Sequence, residues 1–193
     1  MRGAGRRCRQ AINRMSHSTS HAGRRIVITG FMGAGKTTVA RALARLLGCT
    51  SLDLDDLVTA REGRTPQQLI DEDGEAAFRE AETRALREAL TSDEARIIAT
   101  GGGTWTLERN RAHVAAHDCL TVWLDAPFDL CWERVTCGGA TPERPFARDR
   151  EQARALYERR HADYRLAFLR VIVTPRLGVE EVAAEIAAAA QRT

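Results

Sequence analysis

Eight consecutive residues, Gly30-Phe31-Met32-Gly33-Ala34-Gly35-Lys36-Thr37, limit what this chain can become more than any other stretch. They fit the pattern G-x-x-x-x-G-K-S/T, and they lie where that pattern works, after the apolar run Ile26 to Thr29 and at the head of a helical pattern spanning 35 to 47. Glycines there let successive backbone N–H groups converge on phosphate oxygens, and the helix N-terminus adds the positive end of its dipole. The lysine reaches the β- and γ-phosphates, and the hydroxyl that follows supplies a ligand to Mg²⁺. The chain has 28 arginines and one lysine, and that lysine is Lys36. A glycine-rich turn with an incidental lysine is the competing interpretation, but it leaves the placement of the sole lysine unexplained. Gly33, Ala34, Gly35, Lys36, Thr37 and Thr38 are therefore the expected ATP-binding residues.

From Arg25 onward, apolar runs of strand length alternate with helical patterns. The runs are Ile26 to Thr29, Ser51 to Leu54, Ile97 to Thr100, Thr121 to Leu124 and Val171 to Val173. Helical spacing marks 35 to 47, closed by Gly48, then Glu75 to Leu90, Gln152 to Phe168 and Val179 to Ala190. Short buried runs separated by amphipathic helices imply parallel strands joined by right-handed crossovers. The expected fold class is α/β, in three layers around a central parallel five-stranded sheet. The segment from Thr136 to Arg150 breaks the regularity with Gly138, Gly139, Pro142 and Pro145 and carries Arg144, Arg148 and Arg150. Its composition predicts a mobile lid over a site.

At 193 residues the chain fits one domain, read as 25–193, preceded by a disordered basic tail over 1–24. Residues 1 to 25 hold seven Arg and no Asp or Glu, which suits either a start assigned upstream of Met15 or a targeting segment. No apolar run is long enough to cross a bilayer. The net charge of +3 has no basic stripe beyond the tail to support it, so a nucleic-acid partner is not expected. Five scattered cysteines, Cys8, Cys49, Cys119, Cys131 and Cys137, lack the spacing of a zinc site or disulfide framework and suit a reducing cytosol.

A phosphate loop does not name the acceptor. Further motifs follow in one register: Leu52-Asp53-Leu54-Asp55, then Glu75-x-x-Phe78-Arg79-x-x-Glu82 on a helix, Gly101-Gly102-Gly103 after the third strand, Arg144-Pro145 in the irregular segment, and Arg160 four residues before Tyr164. On these residues, from about Arg25 to Thr174, the sequence resembles the shikimate kinases. The resemblance implies a P-loop kinase fold with a lid, ATP and shikimate as substrates, Mg²⁺ as cofactor, and transfer of the γ-phosphoryl group to the 3-hydroxyl of shikimate by a cytoplasmic monomer. It assigns Asp53, with Thr37, to the metal, and Asp55 to the acceptor hydroxyls as orienting group or base. Arg79 and Arg160 are implied partners of the substrate carboxylate, a task that suits a planar, bidentate guanidinium. Gly101, Gly102 and Gly103 are implied to bring backbone N–H groups close to the acceptor, and Arg144 to meet the ATP phosphates. Lys36, Asp55 and Arg144 form the expected catalytic set.

Chemistry gives these assignments competitors. Asp53 and Asp55 are two apart, so on a strand they share one face; alternatively they are solvated carboxylates that cap the next helix. After Arg160 the chain has His161-Ala162-Asp163 where the family commonly has a proline, and Phe168 stands where it has a small residue. Arg134 and Arg176 are loose candidates for the adenine side. A kinase for another small hydroxy acid, such as gluconate, and a non-catalytic nucleotide-binding module are the rival functions.

Overall fold

The computed structural model of the chain describes residues 23–137 and 149–192. Five short strands carry the order along the chain: β1 (Ile26–Thr29), β2 (Ser51–Asp53), β3 (Ile97–Ala99), β4 (Leu120–Asp125) and β5 (Leu169–Ile172). All neighbours are parallel and the sheet order is β2-β3-β1-β4-β5, which puts β1 at the centre. Every residue of β1 is buried, as expected of a parallel strand covered on both faces. The bounds differ slightly from the sequence-based ones, most at β5, which begins two residues earlier than Val171.

Right-handed crossovers fix where the helices go. The step from β1 out to β2 sets α1 (Lys36–Leu47) on one face. The return through α2 (Leu54–Glu62) and α3 (Pro66–Thr91) to β3, and the onward steps through α4 (Glu108–Ala116), α5 (Phe128–Cys137) and α6 (Arg150–Tyr164), use the other. After β5 the chain reverses, and α7 (Val179–Ala190) packs along α1. The three layers anticipated from the sequence are present, with a core running from Ile26 and Ile28 through Leu43, Ile97 and Leu124 to Ile186.

The N-terminal half of α3 is begun by a capping box, in which Thr65 Oγ1 accepts from the Gln68 N–H and the Gln68 side chain accepts from the Thr65 N–H. Pro66 at its first position needs no N–H partner. At Gly74, φ is 88° and ψ 163°, so α3 is two helices meeting at a break. The expected helix from Glu75 is its second half.

Candidate active site

The phosphate loop joins β1 to α1 through a backbone that only glycine tolerates well. Gly33 has φ 77° and Gly35 φ 96°, both in the left-handed region. A Cβ at Gly33 would also strike the Cys131 carbonyl oxygen of α5, and one at Gly30 would lie 2.7 Å from the Leu124 carbonyl oxygen of β4. The loop is thus pressed between its own strand and neighbouring backbone. Lys36 Nζ donates to the Phe31 carbonyl at 2.9 Å, curling over the loop that it serves. Arg134 on α5 donates to the Gly33 and Ala34 carbonyls at 3.3 and 3.4 Å. The phenyl ring of Phe31 is buried and meets Tyr157 of α6 edge-on at 5.2 Å.

Thr37 Oγ1 donates to Asp53 Oδ2 at 2.5 Å, while Asp53 Oδ1 accepts the Asp55 N–H at 2.9 Å and caps α2. This corrects one expectation. Asp53 ends β2 and Asp55 stands in the first turn of α2, so the two do not share a strand face. The cap that looked like an alternative to a site role coexists with it, because each carboxylate oxygen of Asp53 has a different task. The Thr37–Asp53 pair offers hydroxyl and carboxylate oxygens of the hard kind that Mg²⁺ prefers, with room left for substrate phosphates and water. Asp55 Oδ1 lies 3.0 Å from where a Gly101 Cβ would be, so the aspartate reaches the same cavity from the helix.

That cavity holds about 380 Å³ between the phosphate loop and the break in α3. Lys36, Thr37, Asp53, Asp55, Gly101, Gly102, Gly103, Arg79 and Arg160 all border it, so residues spread over 125 positions of sequence converge. Two guanidiniums stand in its lining. Arg79 donates from Nη1 to Glu82 at 2.8 Å and from Nη2 to Glu75 at 3.0 Å, with its plane beside the Phe78 ring. Burial works against the Arg79 charge, but Glu82 and Glu75 outweigh it and raise its pKa. Glu82 is fully buried, and its other oxygen accepts from Thr104 Oγ1 at 2.5 Å. A buried carboxylate this well paired is tolerable, and it fixes the Arg79 fork in place.

Arg160 is 8% exposed. Burial lowers its pKa and Arg79 lowers it further, while the hydrogen bond to the Tyr164 oxygen opposes both. Tyr164 in turn donates to the Gly102 carbonyl at 2.5 Å, and burial pushes its phenol well above the usual range. Both guanidiniums have the planar fork that suits a carboxylate, Arg79 being already paired to Glu82 and Glu75. The glycines leave the required space. A Cβ on Gly103 would fall about 2.5 Å from the Arg79 guanidinium carbon, and one on Gly102 3.4 Å from Arg160.

Of the expected residues that the structure describes, Lys36, Thr37, Asp53, Asp55, Arg79, Gly101, Gly102, Gly103 and Arg160 line the cavity, Gly33, Ala34 and Gly35 lie in the adjoining phosphate loop, and Thr38 is exposed on α1. Of the segment expected as a lid, Thr136 lies at the end of α5 and Arg150 begins α6, while Arg144 and the rest of 138–148 lie outside the described residues, as does the tail before Gly23. Arg176 is exposed in the turn before α7, whereas Arg134 lies against the phosphate loop. Sequence reasoning missed the cavity's outer wall, formed by Thr59 of α2 and by Thr65, Pro66, Gln67 and Ile70 at the start of α3. It also gave Glu82 no role. The Thr65-Pro66-x-Gln68 box was the available signal for the wall; for Glu82 the signal was its place in the motif, three residues after Arg79 on one helix.

Comparison with known proteins follows the same lines. A family model described as shikimate kinase matches residues 32–191. A shikimate kinase of Geobacter sulfurreducens is 39% identical over 175 residues, covering 89% of this chain and 93% of that protein. One from Ruegeria pomeroyi is 36% identical over 164 residues, 85% of this chain and 83% of that protein. Among solved structures, shikimate kinase from Acinetobacter baumannii in complex with shikimate superposes with a TM-score of 0.81 at 30% identity, over 89% of this chain and 94% of that one.

Proposed function

The chain belongs to the shikimate kinase family, and from that premise we propose how its cavity carries out ATP-dependent phosphorylation of shikimate. The observation that carries the reading is the pair of guanidiniums, Arg79 and Arg160, lining the same cavity as Lys36 and Thr37 of the phosphate loop. A small hydroxy acid held there by its carboxylate presents its ring hydroxyls toward Lys36.

Backbone N–H groups of Gly33 to Lys36 and the Lys36 ammonium hold the β- and γ-phosphates, and Arg144 joins them from the segment after α5. Thr37 and Asp53 would hold Mg²⁺, whose charge neutralises the phosphate oxygens. Asp55, beside Gly101, orients the 3-hydroxyl and takes its proton as the hydroxyl oxygen bonds to the γ-phosphorus and the bond to the β,γ-bridging oxygen breaks. Because the transition state of such transfers is loose, orientation contributes more than basicity. The products are ADP and shikimate 3-phosphate.

The site residues that the structure describes all come from one chain, which supports a monomer. No helix among the described residues is long and apolar enough to cross a membrane, and Cys49, Cys119, Cys131 and Cys137 are free thiols. The family reading supports action in the cytoplasm on small molecules. The decisive experiment offers a panel of hydroxy acids with Mg-ATP and follows ADP. Release should depend on shikimate; equal or greater release with gluconate would sink the acceptor assignment.

A further inference from the structure

Arg160 poses a mechanical question, because a buried guanidinium facing a second one is pushed outward by both burial and repulsion. The helix that carries it is held along one face. Ala153, Arg160 and Tyr164 of α6 are buried there, and Leu156 and Tyr157 pack partly buried against the core. Polar and aromatic contacts on that face add to the apolar packing. Tyr157 donates to the Ala126 carbonyl at 3.1 Å, Trp105 Nε1 donates to the Asp163 carbonyl at 3.0 Å, and Tyr164 reaches Gly102.

Between these points stands a charged cluster that the phosphoryl-transfer chemistry does not use. Asp125, the last residue of β4, is 8% exposed. Its Oδ2 accepts from Arg170 of β5, from Nε at 2.8 Å and from Nη2 at 2.5 Å. Its Oδ1 faces His161 Nε2 at 3.7 Å, beyond hydrogen-bond length but directly opposed to the ring nitrogen. The His161 ring meets Trp123 edge-on at 4.8 Å, and Trp123 also carries the Arg170 guanidinium over its face at 5.2 Å. The cluster joins β4, β5 and α6, and His161 is the residue next to Arg160.

We infer that Asp125 is a positioning residue for Arg160, acting through His161. Arg170 holds the Asp125 carboxylate at the sheet edge, Asp125 draws His161 toward β4, and the turn of α6 so fixed sets the depth at which Arg160 enters the acceptor cavity. Residues in one such network couple rather than add. The inference rests on the reading that Arg160 binds the acceptor carboxylate, and the test separates the two.

The test compares wild type, Asp125→Asn, His161→Ala, Arg160→Ala and the double variant Asp125→Asn/Arg160→Ala by KM for shikimate, KM for ATP, kcat and Tm. Asp125→Asn and His161→Ala should each raise the shikimate KM about tenfold while the ATP KM stays within about twofold, a split that loss of stability alone does not produce. In the Arg160→Ala background, Asp125→Asn should add less than about twofold. Shikimate and ATP KM moving together, neither moving, or the full effect persisting without Arg160 would each overturn the inference. If Asp125→Asn does not fold, His161→Ala, which leaves the Asp125–Arg170 pair intact, decides by the same split. A wild-type shikimate KM in Arg160→Ala would instead remove the carboxylate reading itself.

Discussion

The phosphate loop is made from eight consecutive residues and works mostly through backbone, whereas the acceptor end of the cavity is made from side chains of α2, α3, the turn after β3, and α6. The two share Lys36 and Thr37 as a common wall. Their failure modes differ accordingly. In the loop, geometry is stored in φ angles and in close approaches of main chain to main chain, so a change there has nowhere to relax. At the acceptor end, geometry is stored in side-chain contacts, the Glu82–Arg79 ion pair and the Arg160–Tyr164 hydrogen bond, which can give at their flexible ends. Damage to the first should abolish chemistry; damage to the second should chiefly change which acceptor is held and how well.

Lys36→Ala tests the first half of that contrast most severely. Turnover should fall by about 10³-fold or more, since a cation aimed at the transferring group acts where charge is spread in the transition state. Circular dichroism should show an intact fold, and unchanged ADP release from a folded variant would break the comparison at its root. Asp55→Asn comes next. It keeps volume and removes charge, so ATP should bind nearly as before while acceptor binding weakens and kcat drops by about 10²-fold, the lower end for a general base. Wild-type kcat and KM in this variant would remove Asp55 from the site.

A matched pair of glycine changes sharpens the comparison. Gly33→Ala meets a backbone carbonyl at a left-handed φ and should weaken ATP binding and lower Tm together. Gly103→Ala meets only the Arg79 side chain; it should raise the shikimate KM by about tenfold and leave the ATP KM unchanged, a displaced clamp being the sole damage. If Gly103→Ala disturbs ATP as much as shikimate, the two ends are not mechanically separate. The smallest effect is expected for deletion of residues 1–22, which should leave activity within about a factor of two because the core begins at Arg25. A large loss would place the tail in the site.

The loop was legible in the sequence because every residue that builds it is local. Spacing alone could not go as far at the other end. Reading Asp53 and Asp55 as one strand face failed because Asp53 turns its side chain to cap α2, which ends the strand a residue early. The break at Gly74 hid the first half of α3, since the apolar pattern restarts at Glu75 in a new phase. Arg79 and Arg160 were found through motif order, and Glu82 sits three residues from Arg79 on the same helix, but Thr104, which holds Glu82, and the Asp125 cluster are contacts between segments distant in sequence. Such contacts have no periodicity to read.

The central place of β1 also governs when the site comes into being. Ile26 lies beside Ile97 on one side and Leu120 on the other, and α1 finds its packing partner in α7. During synthesis the phosphate loop therefore emerges long before the strands that flank it and the helix that braces it. Non-local pairings of this kind are slow to form, because the intervening chain must be closed before they reward the closure. A nascent chain halted before Leu169 carries the whole motif from Gly30 to Thr37 but lacks β5 and α7. On this topology the residues that identify the enzyme are among the first to be made and among the last to be held rigid.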